Sequence, residues 1–150
     1  MQIRAALSAD IPQLLALVRR YWDFEGIAGF EALRVELVLK ELLDPRARRG
    51  AIWVAEEGGT LTGYLIVVLL LSVEHQGLMG EIDEFFVLPP ARARGAGRQL
   101  LAQAEAALRA RGCGRLQLQL SKANEAARAF YERHGYSVRA GYELMERPLR

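Results

Sequence analysis

The apolar positions of the chain change period several times, and each change marks an element. Residues 2–7 alternate enough to predict a first strand. Ser8 and Asp10 then offer helix N-caps, Pro12 fits a first helical turn, and Ile11, Leu14, Leu15, Val18 and Trp22 recur at the helical period. A second helix is predicted over about 31–43 on Leu33, Leu37, Leu39 and Leu42, and Asp44-Pro45 ends it. Residues 51–56 read as a strand and Gly58-Gly59 as a hairpin turn. The run 61–73 reads as a long strand, apolar on both faces through Leu71, as at the centre of a sheet. A turn near Gln76-Gly77 returns the chain as a strand over 80–88, which Pro89-Pro90 stops. A helix over about 96–111 follows, with Leu100, Leu101, Ala104 and Leu108 on one face and Gly112 at its end. Leu116, Leu118 and Leu120 alternate with Gln117 and Gln119 in a half-buried strand. A helix over about 124–133 ends at Gly135, and two short strands near 136–139 and 142–147 finish the chain. The pattern predicts a mixed α/β domain with a mostly antiparallel sheet.

Composition narrows the class. The 150 residues fit one domain, 1–150, around one core, with no repeat, linker or low-complexity stretch. A net charge of +2 is too small to argue for nucleic acid or an anionic membrane, and neither is expected as a partner. Lys40 and Lys122 are the only lysines, so the positive charge is nearly all arginine. Arginine suits phosphate recognition, although a GC-rich genome gives the same bias. Cys113 is alone, which excludes an intramolecular disulfide, and it has no partner suggesting a nucleophile. The start, Met1-Gln2-Ile3-Arg4, has no signal-peptide pattern. The longest apolar run, Tyr64 to Leu71, is far shorter than the roughly 20 residues of a membrane span. The cytoplasm is the simplest compartment. His75 and His134 are too isolated for a metal site, and none is expected; His134 fits as a favourable charge at a helix C-terminus.

The most informative segment is Arg92-Ala93-Arg94-Gly95-Ala96-Gly97-Arg98, between a strand and a helix. A helix N-terminus carries unpaired N–H groups and partial positive charge, and glycines let its backbone approach a ligand. Acids usually gather in a first turn; here Arg94 and Arg98 stand there and the first acid is Glu105. That arrangement favours a bound anion. A plain glycine loop with solvated arginines is the bland alternative. A dinucleotide fingerprint fails because Leu100 stands where its third glycine belongs and no acid follows the strand at 116–120. A Walker loop is excluded because no Gly-Lys-Ser/Thr follows.

Further along, Asn124, Ala127 and Tyr131 are spaced i, i+3, i+7 and share a helix face. Taken singly, Asn124 reads as an N-cap and Tyr131 as a core aromatic with its hydroxyl at the rim.

Two motifs carry a family resemblance. The stretch Val87-Leu88-Pro89-Pro90-Ala91-Arg92-Ala93-Arg94-Gly95-Ala96-Gly97 resembles the acetyl-CoA motif of the GNAT (Gcn5-related) N-acetyltransferases, Val-x-Pro-x-x-Arg/Gln-x-x-Gly-x-Gly/Ala. It departs at Ala93, where glycine is common; this is minor if the residue has ordinary φ. The stretch Asn124-x-x-Ala127-x-x-Phe130-Tyr131-x-x-x-Gly135-Tyr136 resembles the family's second motif. The resemblance implies the GNAT fold: a central, mixed, mostly antiparallel twisted sheet flanked by about four helices. It implies acetyl-CoA as co-substrate. Its pyrophosphate would lie on the loop amides, with Arg92, Ala93, Arg94, Gly95, Ala96, Gly97 and Arg98 as the candidate residues. Its pantetheine arm would pair with Phe85, Phe86 and Val87 and touch Asn124. Tyr131 would contact the cofactor and act as general acid on the departing thiolate.

Transfer to an amine also needs a base, since an ammonium must first lose a proton. The strand before the loop holds Glu81, Asp83 and Glu84, although acids are depleted in strands. Period 2 puts Glu81, Asp83 and Phe85 on one face and Ile82, Glu84 and Phe86 on the other. In relatives, acids near this place act as base through water or bind a cationic amine, and a bulge often breaks the alternation. Glu81 or Asp83 is the expected base, with Glu84 as alternate; surface ion pairs are the competing reading of each. Tyr21, Trp22, Phe24 and Glu25 are candidates for the acceptor wall, and read equally well as an amphipathic helix end. The reading is an N-acetyltransferase acting on a primary amine of a small molecule or peptide. The rival is a non-catalytic acyl-CoA-binding or regulatory module on the same fold, with a nucleic-acid binder a distant third. Neither the acceptor nor the oligomeric state is legible; a homodimer is compatible.

Overall fold

Five strands lie side by side in sequence order in the computed structural model, which describes residues 1–149. The chain forms two compact units, Met1–Leu118 and the stretch from Gln119 onward.

In the first unit β1 (Gln2–Ala5), β2 (Gly50–Glu57), β3 (Thr60–Ser72) and β4 (Gly77–Val87) pair antiparallel, and β5 (Arg115–Leu118) joins β4 in parallel. The hairpin turns fall where the glycines predict them. The parallel step needs a crossover, supplied by α3 (Pro89–Arg92) and α4 (Ala96–Ala110). Two further helices, α1 (Ile11–Glu25) and α2 (Ala32–Leu43), precede β2. The mixed, mostly antiparallel sheet with flanking helices is the architecture the sequence implies.

The inner strands are apolar on both faces because both are covered. On one face Leu14, Leu17 and Val18 of α1 and Leu39 and Leu42 of α2 form a core with Ile52, Val54, Tyr64, Ile66 and Phe86. The alternate positions Trp53, Ala55, Leu65 and Val67 are equally buried and serve the opposite face, where α4 packs with Leu100, Leu101, Ala104 and Leu108. Burial of this kind contributes about 1.5–3 kcal/mol per large aliphatic side chain.

Several expectations need correction. Asp10 does not cap α1: its carboxylate turns back, accepts the Leu7 N–H at 2.7 Å and takes both arms of Arg4 at 2.7 and 2.9 Å. Arg4 also reaches Glu56, so one guanidinium ties β1, the turn Ser8–Asp10 and β2. The two-sided burial of β3 fails at its far end, where Leu70 is 42 % and Leu71 86 % exposed, beyond the helices' cover.

The second unit holds α5 (Glu125–Arg133), capped by Asn124, whose Oδ1 accepts the Ala127 N–H at 3.0 Å. No strand forms over 136–139 or 142–147 among the described residues. Val138, Tyr142, Leu144 and Met145 are exposed there. Alternation alone does not make a strand; a neighbouring edge must accept its backbone groups.

Candidate active site

The register of β4 against β3 decides where the acids point. Ile66 pairs with Glu84 and Val67 with Ile82, which leaves Asp83 as the extra residue of a bulge. Past the bulge Val68 pairs with Glu81. Cross-strand partners share a face. Ile66 belongs to the α1/α2 core and Val68 packs against it, so Glu84 and Glu81 both lie on that side. Simple alternation separates these two residues; the bulge brings them together.

Glu84 is held by two donors from different elements. Trp22 Nε1 of α1 donates to Oε1 at 2.6 Å and the Tyr64 hydroxyl of β3 donates to Oε2 at 2.8 Å. Burial pushes the Glu84 carboxyl up, the two hydrogen bonds pull against it, and Asp83 adds to the rise. Asp83 is also pushed up, by desolvation first and then by Glu81, although its side chain still meets solvent. Tyr64 is fully buried and held far above its ordinary value, by burial and then by Glu84, so it stays a donor. Tyr21 is pushed up to about 12 by burial, with Glu25, Glu84 and Asp83 adding to it. Glu81 accepts from Gln117 Nε2 at 2.7 Å. Tyr64 and Gln117 escape the sequence reading. The signal for Tyr64 is the one hydroxyl inside the apolar run Tyr64 to Leu71.

The acceptor-wall candidates on α1 pack with neighbouring rings. Tyr21 and Phe24 both pack against Phe86, at 6.0 and 6.2 Å between centroids, and Trp22 meets Phe30 edge-on at 5.4 Å. Glu25 is exposed at the helix end, and Gly26 closes α1 in the left-handed region at φ 68°.

At its other end β4 meets the glycine loop. The β4–β5 ladder stops at Ile82 and Leu118, while β4 runs on to Val87. The Leu88 N–H donates to Thr62 at 2.8 Å. Successive residues alternate edges, so Phe85 and Val87 aim their amide groups away from β3, at the edge where the β5 ladder has ended. The Val87 carbonyl accepts from Arg92 Nε at 2.6 Å. The Arg92 guanidinium lies over Phe24 at 5.5 Å and Phe86 at 5.6 Å. Arg94 pairs with Glu57 at the surface, whereas Arg98 is exposed and in no ion pair among the described residues. Ala93 has φ −63°, ordinary for an L-residue, so nothing is lost by its not being glycine.

Gly95 sits at φ 76° as the N-cap of α4, which has no side-chain cap and no acid in its first turn. Arg94 and Gly95 spend their N–H groups on Ala91 and Arg92 within the tight turn, at 3.2 and 3.1 Å. Gln99 is the first residue whose N–H finds a helix carbonyl, that of Gly95 at 3.1 Å. The N–H groups of Ala96, Gly97 and Arg98 thus have no intrahelical partner and point out of the helix end. In the second unit, Tyr131 is 9 % exposed and stacks edge-on with Phe130 and Tyr136, both at 5.4 Å. His134 Nδ1 donates to the Phe130 carbonyl at 2.7 Å, at the C-terminal end of α5.

Comparison with known proteins agrees with this arrangement. The sequence profile of the Acetyltransferase (GNAT) family matches residues 12–136. An uncharacterized N-acetyltransferase, YhfO, of Bacillus subtilis (strain 168) is 30 % identical over 142 residues, covering 95 % of this chain and 93 % of the other. The aminoalkylphosphonate N-acetyltransferase of Salmonella typhimurium is 30 % identical over 140 residues, covering 90 % and 84 %. Among solved structures, an integron cassette protein, HFX_CASS3, from the mobile metagenome of Cole Harbour Salt Marsh superposes with a TM-score of 0.86 at 29 % identity, covering 99 % of this chain and 91 % of that one. With the glycine loop at the end of a bulged, acid-bearing β4, these matches establish that the chain belongs to the GNAT acetyltransferase family.

Proposed function

We propose that the chain is an acetyl-CoA-dependent N-acetyltransferase, a single catalytic domain over 1–150 that passes the acetyl group directly to a primary amine of a small molecule or peptide. The observation that carries this is β4 itself, which bears Glu81 and Glu84 on the face that α1 and α2 cover, with Asp83 at the bulge between them, and leads into an uncapped helix N-terminus. The N–H groups of Ala96, Gly97 and Arg98, with Arg98 beside them, suit a pyrophosphate: three donors, a favourable dipole end and no competing acid. The edge of β4 at Phe85–Val87 suits the amide groups of pantetheine. The relatives named N-acetyltransferases support an amine as acceptor.

In this reading Glu84 ranks ahead of Glu81 and Asp83 as the base. Its carboxylate is oriented by Trp22 and Tyr64, and burial raises its proton affinity toward that of an amine. Asp83 and Glu81 then attract the cationic form of the amine, and Tyr21, Trp22 and Phe24 wall the acceptor. Glu84 takes a proton from the bound ammonium, directly or through water; the freed amine nitrogen attacks the thioester carbonyl, the C–S bond of the tetrahedral adduct breaks, and the second nitrogen proton passes to water. Tyr131 gives its proton to the leaving sulfur, and Asn124 contacts the pantetheine arm.

The test is thiol release from acetyl-CoA across a panel of amines, beside titration with CoA. Acetyl transfer to at least one amine is expected, with Tyr131→Phe lowering turnover more than CoA affinity. CoA binding with no transfer to any amine would overturn the catalytic reading in favour of a binding module.

A further inference from the structure

The connection between α1 and α2 reaches the site through Trp22, and the inference drawn from it rests on the reading of Glu84 as base. Trp22 lies in the last turn of α1. Its indole makes two directed contacts among the described residues. The N–H donates to Glu84 Oε1 at 2.6 Å, and the ring meets Phe30 edge-on at 5.4 Å between centroids and 88° between planes.

The chain is shaped to bring Phe30 back to that place. Gly26 at φ 68° and Gly29 at φ 81° turn it through the left-handed region. A Cβ at either would meet nothing within 4 Å, so glycine is needed there for the backbone and not for space. Gly26 and Ile27 both donate their N–H groups to the Trp22 carbonyl, Ile27 at 2.9 Å. The connection thus grips Trp22 twice, by its carbonyl and by its ring. Arg19, one turn earlier on α1, lies over the Phe30 ring at 5.2 Å, so Phe30 is itself held between a cation and the indole. Edge-to-face rings add a preferred direction to ordinary burial, and direction is what a single N–H aimed at one oxygen needs.

We propose that Phe30 is a positioning residue of the reaction: it holds the Trp22 ring in the orientation that aims its N–H at Glu84, acting through Trp22 and not on the substrates. The role has a sign. Burial raises the Glu84 carboxyl and the Trp22 bond lowers it, so an indole turned aside leaves Glu84 protonated to higher pH. Glu84 is faced by Glu81 and Asp83 on β4, Tyr64 on β3 and Tyr21 on α1, with Arg19 beyond Phe30 and Arg92 beyond Phe86. Both phenols are held above their ordinary value, so the carboxyls are the groups that change charge in acid.

The experiment uses Trp22 as its own reporter. Trp22 and Trp53 are the two tryptophans, and Trp53 is buried on the opposite face of the sheet, so Trp53→Phe leaves one indole. An indole bonded to a carboxylate changes its emission when the carboxylate takes a proton. An acid transition in Trp22 emission is expected, and its loss in Glu84→Gln. Phe30→Leu keeps apolar volume without the ring and is expected to move the transition to higher pH. Phe30→Tyr keeps the ring and should leave it in place. Gly29→Ala, strained by its φ, should move it as Phe30→Leu does. In steady-state kinetics with Trp53 retained, the acid limb of kcat/KM should move to higher pH in Phe30→Leu as in Trp22→Phe. The double variant should move it no further, and the KM for acetyl-CoA should stay unchanged. A transition unmoved in Phe30→Leu would overturn the inference, as would one that survives Glu84→Gln, or limb shifts that add in the double variant. The kinetic comparison decides even where Trp53→Phe disturbs folding. If the transition moves as stated and no amine is acetylated, the catalytic reading falls and the placement of Trp22 by Phe30 stands.

Discussion

Trp22 donates its indole N–H to Glu84 at 2.6 Å, so the first long helix holds the carboxylate proposed here as the base. Burial raises that carboxyl, and Asp83 beside it is raised too. A base works only when deprotonated. The pH–rate profile of kcat/KM is therefore expected to fall toward acid on a limb lying above the ordinary carboxylate range. Glu84→Gln should remove that limb and lower kcat about 100-fold. Trp22→Phe removes one lowering hydrogen bond, so it should move the limb to higher pH. A profile unchanged in Glu84→Gln would exclude Glu84 as base.

Asp10 shifts the other way. The Arg4 fork, then the Leu7 N–H, hold its carboxyl below the usual range, working against desolvation. Stability from a depressed carboxyl is present at neutral pH and is lost as pH falls through its folded value. Asp10→Asn is expected to cost about 1–3 kcal/mol at neutral pH. Urea unfolding of both proteins should show the gap narrowing in acid.

Two arginines of the loop should separate cleanly. Arg92 braces the end of β4 through Val87, Phe24 and Phe86, so Arg92→Ala is expected to cost about 1–2 kcal/mol of stability. Arg98 is exposed and in no ion pair among the described residues. Arg98→Ala should leave stability within about 0.5 kcal/mol and weaken CoA several-fold, with the loss shrinking as salt is added. Thermal unfolding and CoA titration at two salt concentrations check both.

Gly95 is needed for its backbone, not for space. A Cβ there would meet only Gln99 Nε2, at 3.9 Å, but φ is 76°. Gly95→Val is expected to cost about 1–2 kcal/mol and to raise the KM for acetyl-CoA. Gly95→Asn should be milder on both counts, because asparagine tolerates the left-handed region. Steady-state kinetics and melting temperatures would show the ranking.

The sequence carried the fold as far as period and punctuation reach: the helices, the hairpins and the loop after Pro89-Pro90 are where their residues predict. Misplacements have a common cause in pairing, which one strand's residues do not encode. Period 2 put Glu84 opposite Glu81 because the bulge at Asp83 exists only against Ile66 and Val67. The alternation of 136–147 predicted strands for which no partner edge follows from the chain. The motif position of Arg92 is legible in the sequence, while the packing of its side chain against Val87 and two aromatic rings is not. Glu25, an acceptor-wall candidate, lies exposed at the end of α1, a placement that its position in the sequence does not encode.

The strand order also sets a schedule for assembly. β2, β3 and β4 follow one another through short turns, so their ladders close small loops and can form early. β5 can add only after the whole crossover of α3 and α4 has folded back. The carboxylates of β4 are thus gathered by local zippering, whereas the uncapped helix end is delivered by the longer crossover from β4 to β5. A nascent chain halted before Arg115 would hold the acids and lack the clamp that sets α4 against β4.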